Sequence, residues 1–364
     1  MKSTNYNPLL TRHLVEEKIF ANDPFFLVDV GASGGIDSCW NAFSPSFKAI
    51  GFDPLVVACE RLNVDPNKLP SVVYESCFIT GEDPLVRSQS HEQYSCRMMT
   101  RSSAWWATEL QRYTSAKAYQ GGTEQVVFSD KKISLNCYFS SADVKTIDFI
   151  KVDTDGYDYE VLHGAQAILQ NKQVLGLLVE SQFHGGVGPH SNTFRNIDRL
   201  LTESGFSLFD LEVNRYTKRA LPGKFCYSIP AQTTTGQVLW GDALYFRDPV
   251  ISKDHPSGVN LDLSSTQILK LASLFEIFGI PDSAADLLIH FREKLMSVID
   301  VKKCLDLLTK NVGVESSYKK YIRSFETDLS SFYPNQVEKV VEKYLSKDIP
   351  LKTVFSTLLR KAFS

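Results

Sequence analysis

The chain has no long apolar run, no large excess of charge of either sign and no paired cysteines. Each lack excludes something. No segment approaches the roughly 18 apolar residues of a spanning helix, so no transmembrane segment is expected. Met1–Phe20 carries polar residues throughout and lacks the apolar core of a secretory leader. The net charge is -3, which implies no bulk attraction to nucleic acid or to an anionic membrane. The 7 cysteines are scattered, odd in number and include no C-x-x-C pair. That points to reduced thiols, a cytoplasmic protein and no cysteine-based zinc site. No fixed repeat period runs along the sequence. What is left is a globular composition, 43% hydrophobic over 364 residues, enough for two domains or for one large domain with an extension.

The most informative stretch is Phe26-Leu27-Val28-Asp29-Val30-Gly31-Ala32-Ser33-Gly34-Gly35, an apolar run that stops at a glycine cluster. A second apolar run ends at Gly51-Phe52-Asp53-Pro54, with its acid about twenty residues after the first glycine, the spacing of a nucleotide-binding strand–turn–helix–strand unit. A pyrophosphate site wants G-x-G-x-x-G. Counting from Gly31, the second and third glycine positions hold Ser33 and Ile36, and Asp29 adds an acid that a pyrophosphate does not favour. A ligand with an ammonium and a sulfonium suits these residues better, and S-adenosylmethionine has both, plus a ribose diol for Asp53. The alternative, a glycine turn with no ligand, leaves Asp53 unexplained.

A second constellation lies at Thr146 to Ala165, an apolar strand running into an acidic turn and then a helix. Its K-[IV]-D-x-[ED]-G-x-[ED]-x-x-[VL]-L-x-G-A pattern, here Lys151–Ala165, resembles the signature of the FkbM-type methyltransferases, a branch of the class I S-adenosylmethionine-dependent enzymes. Leu27-Val28-Asp29-Val30-Gly31-Ala32-Ser33 resembles the first motif of that family, and Val179-Glu180 its next strand end. The resemblance covers residues 25 to 248. Ser33 stands where the family usually has Asn, Asp53 where Glu is commoner, and Asp155 and Asp158 where glutamates are usual, so each change keeps polarity and shortens reach.

Apolar runs at 25–30, 47–53, 71–78, 146–153 and 174–181 alternate with helical stretches, which predicts a mostly parallel sheet covered on both faces. Phe206–Leu211 and Ala243–Arg247 fit two last strands. The resemblance implies an α/β, Rossmann-like class I sheet of seven strands, one of them antiparallel. Ligands bind outside the carboxyl ends of such strands, and Asp29, Asp53, Asp153 and Glu180 all fall there. Residues 1–24 read as a helical lead-in, 25–249 as the methyltransferase domain and 250–263 as a linker. Residues 264–364 read as an all-helical accessory domain. Ser264 and Gln267 form a capping box, the stripe Ile268, Leu271, Ala272, Phe275, Phe278 follows, and Asp282 caps a second helix. Further helices are expected at 298–311, 315–332, 335–346 and 350–362. This region would serve stability, homodimerisation or partner docking, and its Lys/Leu/Phe-rich tail (Lys352, Phe355, Leu358, Leu359, Arg360, Lys361, Phe363) a partner-docking or membrane-surface role.

Methyl transfer from a sulfonium is an in-line displacement in which the protein mainly positions two reactants. An alcohol acceptor also needs a base. His184, in the loop after Glu180, is placed for that role, with a loop histidine facing water as the equal alternative. Asp153, Asp155, Glu180 and His184 are the candidate catalytic set. They suit Mg or Mn as ligands too, but their spacing does not demand a metal, and none is assigned. Asp29, Gly31, Ala32, Ser33 and Gly35 would hold the methionine end of the cofactor. Asp53 and Pro54 would hold the ribose, and Cys77 and Phe78 would flank the adenine. The long connection at 81–145 carries Arg97, Arg101, Trp105 and Trp106, which suit a small-molecule or glycan acceptor; the tryptophans equally suit the core of an extra helix. The expected reaction is O-methylation of a hydroxyl on a sugar, glycan or secondary metabolite. The competing reading is a non-catalytic cofactor-binding module that docks a partner through its helices.

Overall fold

The computed structural model describes residues 4–82, 127–141, 146–154, 156–171, 174–183, 186–216, 232–250 and 261–328. Its centre is β1 (Phe25–Val30), an apolar strand buried along almost its whole length, as expected for a parallel strand covered on both faces. Around it lie β2 (Phe47–Asp53), β3 (Val72–Ser76), β4 (Phe149–Val152), β5 (Gly176–Gln182), β6 (Ser207–Tyr216) and β7 (Gln237–Phe246). Their order is β3-β2-β1-β4-β5-β7-β6, and Gln232–Thr233 extends the β6 edge. β1 to β5 pair in parallel, whereas β7 runs antiparallel to both β5 and β6. The strand order turns at β1 and β4, the crevice where open α/β sheets take ligands.

One expected strand is divided. The run at 71–78 ends at Ser76, and Phe78–Ile79 leaves the sheet to pair in parallel with Lys132–Ile133. The chain turns where the Cys77 side chain enters the core and its amide donates to the Asp53 carbonyl at 3.1 Å.

Each face of the sheet has its own cover. On one face Val28, Val30, Ile150, Val152, Leu177 and Val179 pack with Val161, Leu162, Leu169, Ile197 and Leu201. Those partners come from α4 (Asp158–His163), α5 (Gln166–Gln170) and α6 (Phe194–Glu203); α1 (Leu9–Glu16), α2 (Val56–Val64) and α3 (Leu135–Ser141) precede them. The other face is aromatic toward the amino ends of the parallel strands. Phe149 stacks on Phe278 at 5.2 Å, Phe246 meets Phe275 at 4.9 Å, and Phe25 stacks on Trp40 at 5.5 Å.

Phe275 and Phe278 come from α7 (Ser265–Ile277) and its carboxyl end, which the sequence assigns to an accessory domain. The helix begins with the expected capping box, Gln267 N–H donating to Ser264 Oγ at 3.2 Å and Ser264 N–H to Gln267 Oε1 at 3.0 Å. From Ile268 to Ile277 every residue is buried, so the apolar stripe is one part of a helix enclosed on all sides. Its two buried charges are both used. The Lys270 ammonium reaches Asp148, Asp23 and the Pro24 carbonyl. The Glu276 carboxylate accepts the amide protons of Leu10 and Thr11, each at 2.8 Å, and the Thr11 hydroxyl, which satisfies first-turn donors of α1.

The compact units accordingly divide between Val301 and Lys302, not at 264. α7 and α8 (Pro281–His290) belong to the same unit as the sheet. Asp282 lies within the first turn of α8, whose N-cap is Ile280 with Pro281 at the first helical position. α9 (Arg292–Leu295) follows. At the boundary α10 (Val301–Asn311) starts, and the second unit also contains α11 (Tyr318–Thr327), joined to it by a 2.8 Å bond from Tyr318 N–H to Asp306. The helices expected at 335–346 and 350–362 and the Lys/Leu/Phe-rich tail lie outside the described residues.

Candidate functional site

The parallel strands end on one row. The register pairs Val30 with both Phe52 and Val152, and Val152 with Val179. One residue further on, and therefore on the opposite face to these valines, stand Asp53, Gly31, Asp153 and Glu180. Glu180 is paired with Asp242, and Asp242 with Glu212. Across six neighbouring strands the edge thus reads Asp53, Gly31, Asp153, Glu180, Asp242, Glu212.

Gly31 is the gap in this row of side chains. Its φ is 93° and a Cβ there would overlap the Asp153 carbonyl oxygen, so only glycine lets β1 turn away against β4. The amides of Gly31 and Ala32 both donate to the Phe52 carbonyl, at 2.8 and 3.1 Å, and Gly35 N–H closes the turn onto the Ala32 carbonyl at 2.9 Å. Ser33 and Gly34 are exposed, and a Cβ on Gly34 would meet nothing within 4 Å. Of the side chains around the turn, the Arg61 guanidinium donates to the Ser33 carbonyl at 3.2 Å and the Tyr74 hydroxyl accepts from Ile36 N–H at 3.0 Å. Asp53 sits beside the turn: its Oδ1 accepts from Leu55 N–H at 2.8 Å. Burial raises its pKa, opposed by the Leu55 and Ser33 amides.

Asp29 lies one side-chain step deeper. It is 2% exposed, and burial pushes its pKa up to about 6 against the pull of Lys151. The Lys151 ammonium stands 3.3 Å from Asp29 Oδ1 and 3.4 Å from Asp153 Oδ2. Burial lowers the Lys151 pKa, but the two carboxylates outweigh it and the net shift is upward. Asp29 therefore faces the strand-end edge through a lysine, and Asp153 is the exposed acid of the pair, at 46%. Lys151 lay within the sequence signature with no role attached to it.

The rest of that signature braces the edge. Asp158 is fully buried and accepts from Thr154 N–H and Thr154 Oγ1, each at 2.8 Å, and from Asn192 Nδ2 at 3.1 Å. Asn192 Oδ1 in turn accepts from Tyr159 N–H at 2.7 Å. Glu160 accepts from Gly81 N–H at 3.1 Å, and a Cβ on Gly164 would strike the Thr80 carbonyl. These residues fix the turn after β4 against the segments that follow β3 and β5.

On the Asp53 side, Ser129 N–H donates to the Pro54 carbonyl at 2.8 Å and Val56 N–H to the Val127 carbonyl at 3.1 Å. Phe128, 55% exposed, thereby comes within 6.4 Å of the Phe78 ring. Phe128 carried no sequence signal, because it reaches the site only through this pairing. Cys77 does not join the edge; its side chain is 1% exposed in the core. Asp242 and Glu212 were also missed. The trace of Asp242 in the sequence is an acid interrupting the apolar run Leu239–Phe246. Burial first, then Asp153, pushes its pKa up to about 6. Asp155, His184, Arg97, Arg101, Trp105 and Trp106 lie outside the described residues. Among the described residues no group of three or more His, Cys, Asp or Glu is arranged to hold a metal ion, and no helix is long and apolar enough to cross a membrane.

Strand order, a single antiparallel strand among the seven, the glycine turn after β1 and the acid ending β2 define the Rossmann-like fold of S-adenosylmethionine-dependent methyltransferases. Within that class the chain belongs to the FkbM methyltransferase domain family, whose model matches residues 19–208, just over half of its length. Among solved structures it is similar to magnesium protoporphyrin IX methyltransferase from Synechocystis with bound SAM (8% identity, TM-score 0.29, 65% of this chain and 80% of that one). It is also similar to precorrin-6y C5,15-methyltransferase from Geobacter metallireducens (9% identity, TM-score 0.30, 65% and 86%). A SAM-dependent methyltransferase from Aquifex aeolicus is a third likeness (12% identity, TM-score 0.27, 67% and 95%). A comparison with curated proteins finds no match.

Proposed function

We propose that this protein moves a methyl group from S-adenosylmethionine to a hydroxyl oxygen of a small-molecule or glycan acceptor. The observation that carries the reading is the turn Gly31–Gly35, exposed at Ser33 and Gly34 and set between two carboxylates of one edge, Asp53 and Asp153. The residues fit the cofactor. Asp53, held by Leu55 N–H, presents a carboxylate to a ribose diol. Pro54, Phe78 and Phe128 offer an apolar flank to an adenine. Ser33 and Gly34, exposed beside Ala32 and Gly35, bring the turn's surface to the methionine end. Lys151, with Asp29 behind it and Asp153 beside it, offers both signs of charge to a zwitterion.

When bound, the cofactor supplies an activated methyl on a positively charged sulfur. The chain's part is to align an acceptor oxygen with it and to take the hydroxyl proton. Asp153 is the exposed carboxylate at the turning point of the strand order, and Glu180 stands next to it. These two, with Asp155 and His184, which follow Thr154 and Phe183 in the sequence, are the proposed proton-handling and orienting set.

Calorimetry with S-adenosylhomocysteine tests the reading. The wild-type protein should bind it, and Asp53→Ala should weaken binding at least about tenfold, the loss of one to two charge-assisted hydrogen bonds. No heat of binding to the wild-type protein would overturn the proposal. Homocysteine release with a panel of hydroxyl acceptors then tests turnover, and binding without any turnover would favour the partner-docking alternative.

A further inference from the structure

Beyond Asp153 the edge continues as an ordered grid. Glu180, Asp242 and Glu212 stand opposite one another on β5, β7 and β6. Two residues toward the cofactor end of the same strands, Gln182, Trp240 and Asn214 are likewise in register. Paired residues share a face, as do residues two apart on one strand, so all six side chains rise from the face that carries Asp29, Lys151 and Asp153.

We propose that this grid is the acceptor subsite and that it takes one uncharged, polyhydroxylated ring, a sugar unit bearing the hydroxyl to be methylated. The proposal rests on the methyltransferase reading only for which hydroxyl reacts; the sugar site stands or falls by itself. Three observations support it. Gln182 is 9% exposed, and its Oε1 has no hydrogen-bond partner. A buried amide carbonyl left without a donor is costly, so a donor is due at that atom, and a ligand hydroxyl is one. Trp240 lies between two amide side chains, Gln182 and Asn214, and is half-buried. An aromatic face flanked by placed polar groups is what the C–H face of a sugar ring packs on while its hydroxyls find partners at the rim. The row beneath consists of carboxylates, which accept from hydroxyls but repel phosphates and carboxylates. Lys151 does not reverse that sign, since Asp29 and Asp153 set two acids against its one charge.

The test is saturation-transfer NMR of the full-length protein. The ligands are neutral methyl glycosides (glucoside, mannoside, galactoside, rhamnoside, xyloside) and the anionic comparators glucose 1-phosphate and glucuronate. Neutral glycosides should give transfer and the anionic ones at least about tenfold weaker binding. Trp240→Ala should weaken the neutral ligands about tenfold, the loss of one ring contact, and Asp242→Asn should weaken them too. Gln182→Leu separates a binding role from a structural one. It should reduce glycoside binding while leaving the melting temperature unchanged or raised, because the amide has no partner to lose at Oε1. No transfer to any neutral glycoside, equal binding of the anionic ligands, or variants that bind like the parent would each overturn the proposal. Calorimetry of S-adenosylhomocysteine on the same samples reports on the cofactor reading separately: cofactor heat without glycoside transfer defeats the sugar site alone.

Discussion

The Lys270 ammonium lies 2.9 Å from the Asp148 carboxylate, and the side chains are 0% and 3% exposed. Asp148 also accepts from Phe26 N–H at 2.8 Å, so this pair ties α7 to the starts of both β1 and β4. Removing one partner leaves an uncompensated buried charge, at a cost of about 3–5 kcal/mol. Lys270→Met should lower stability to urea by that amount, and Lys270→Met combined with Asp148→Leu should recover part of it. Equal stability of Lys270→Met and the parent would show that the pair does not hold the helix.

The same contact predicts the outcome of a truncation. A chain ending at residue 263 loses the cation facing Asp148, the carboxylate that satisfies the first turn of α1, and the aromatic cover of Phe149 and Phe246. It should be expressed as insoluble or molten protein. A cooperative melt with native near-ultraviolet circular dichroism would restore the domain boundary at 264.

Gly31→Ala should lower stability by about 2–4 kcal/mol, because the added methyl overlaps the Asp153 carbonyl and a positive φ is strained for alanine. It should also abolish S-adenosylhomocysteine binding. A variant that melts with the parent and binds normally would mean that the turn is looser than the geometry here.

Asp158 is buried with three hydrogen-bond donors, so Asp158→Ala orphans Thr154 and Asn192 and should cost about 2–4 kcal/mol. Asp158→Glu, the commoner residue in the family signature, should be tolerated better, because it keeps the acceptor. A thermal shift assay that ranks the two variants the other way round would refute this role.

The pH dependence has a definite sign. Asp29 and Asp242 have folded pKa values near 6, above the unfolded value of about 4. The folded protein therefore binds these protons more tightly than the unfolded chain. Their stabilising contribution is full below about pH 4 and is lost as pH rises through about 6. Asp242→Asn cannot lose a proton over that window, so relative to the parent it should gain about 1 kcal/mol in urea stability between pH 4.5 and pH 7.5, discounted for its partial exposure. No difference in slope would place Asp242 in a wetter setting.

Much of the site was readable from the chain because it lies on consecutive residues. Asp29, Gly31 and Ser33 follow one another out of β1, and Lys151 to Ala165 carries its strand, turn and helix in one stretch. What was hidden is what depends on pairing across strands. Asp242 looks like an interruption in an apolar run, and Trp240 like one more member of it, until β7 is laid antiparallel between β5 and β6. Phe128 acquires a place only when Val127 and Ser129 bond to the chain around Pro54. The boundary at 264 was misplaced for a similar reason: the turn-rich segment before Ser264 looks like a linker, while the partners of Lys270 and Glu276 lie far away at Asp148, Leu10 and Thr11.

By itself, then, the sequence determined the strand–glycine turn–strand unit, the family and the carboxylates at the ends of four of the first five strands, because local apolar runs and turn residues dictate local geometry. Only the tertiary structure decided which acids share a face, that Lys151 neutralises Asp29 before a ligand can, and that a late helix completes the underside of the sheet. Those outcomes follow from register and burial, which bring distant residues within bonding distance and strip away the water that would otherwise screen their charges.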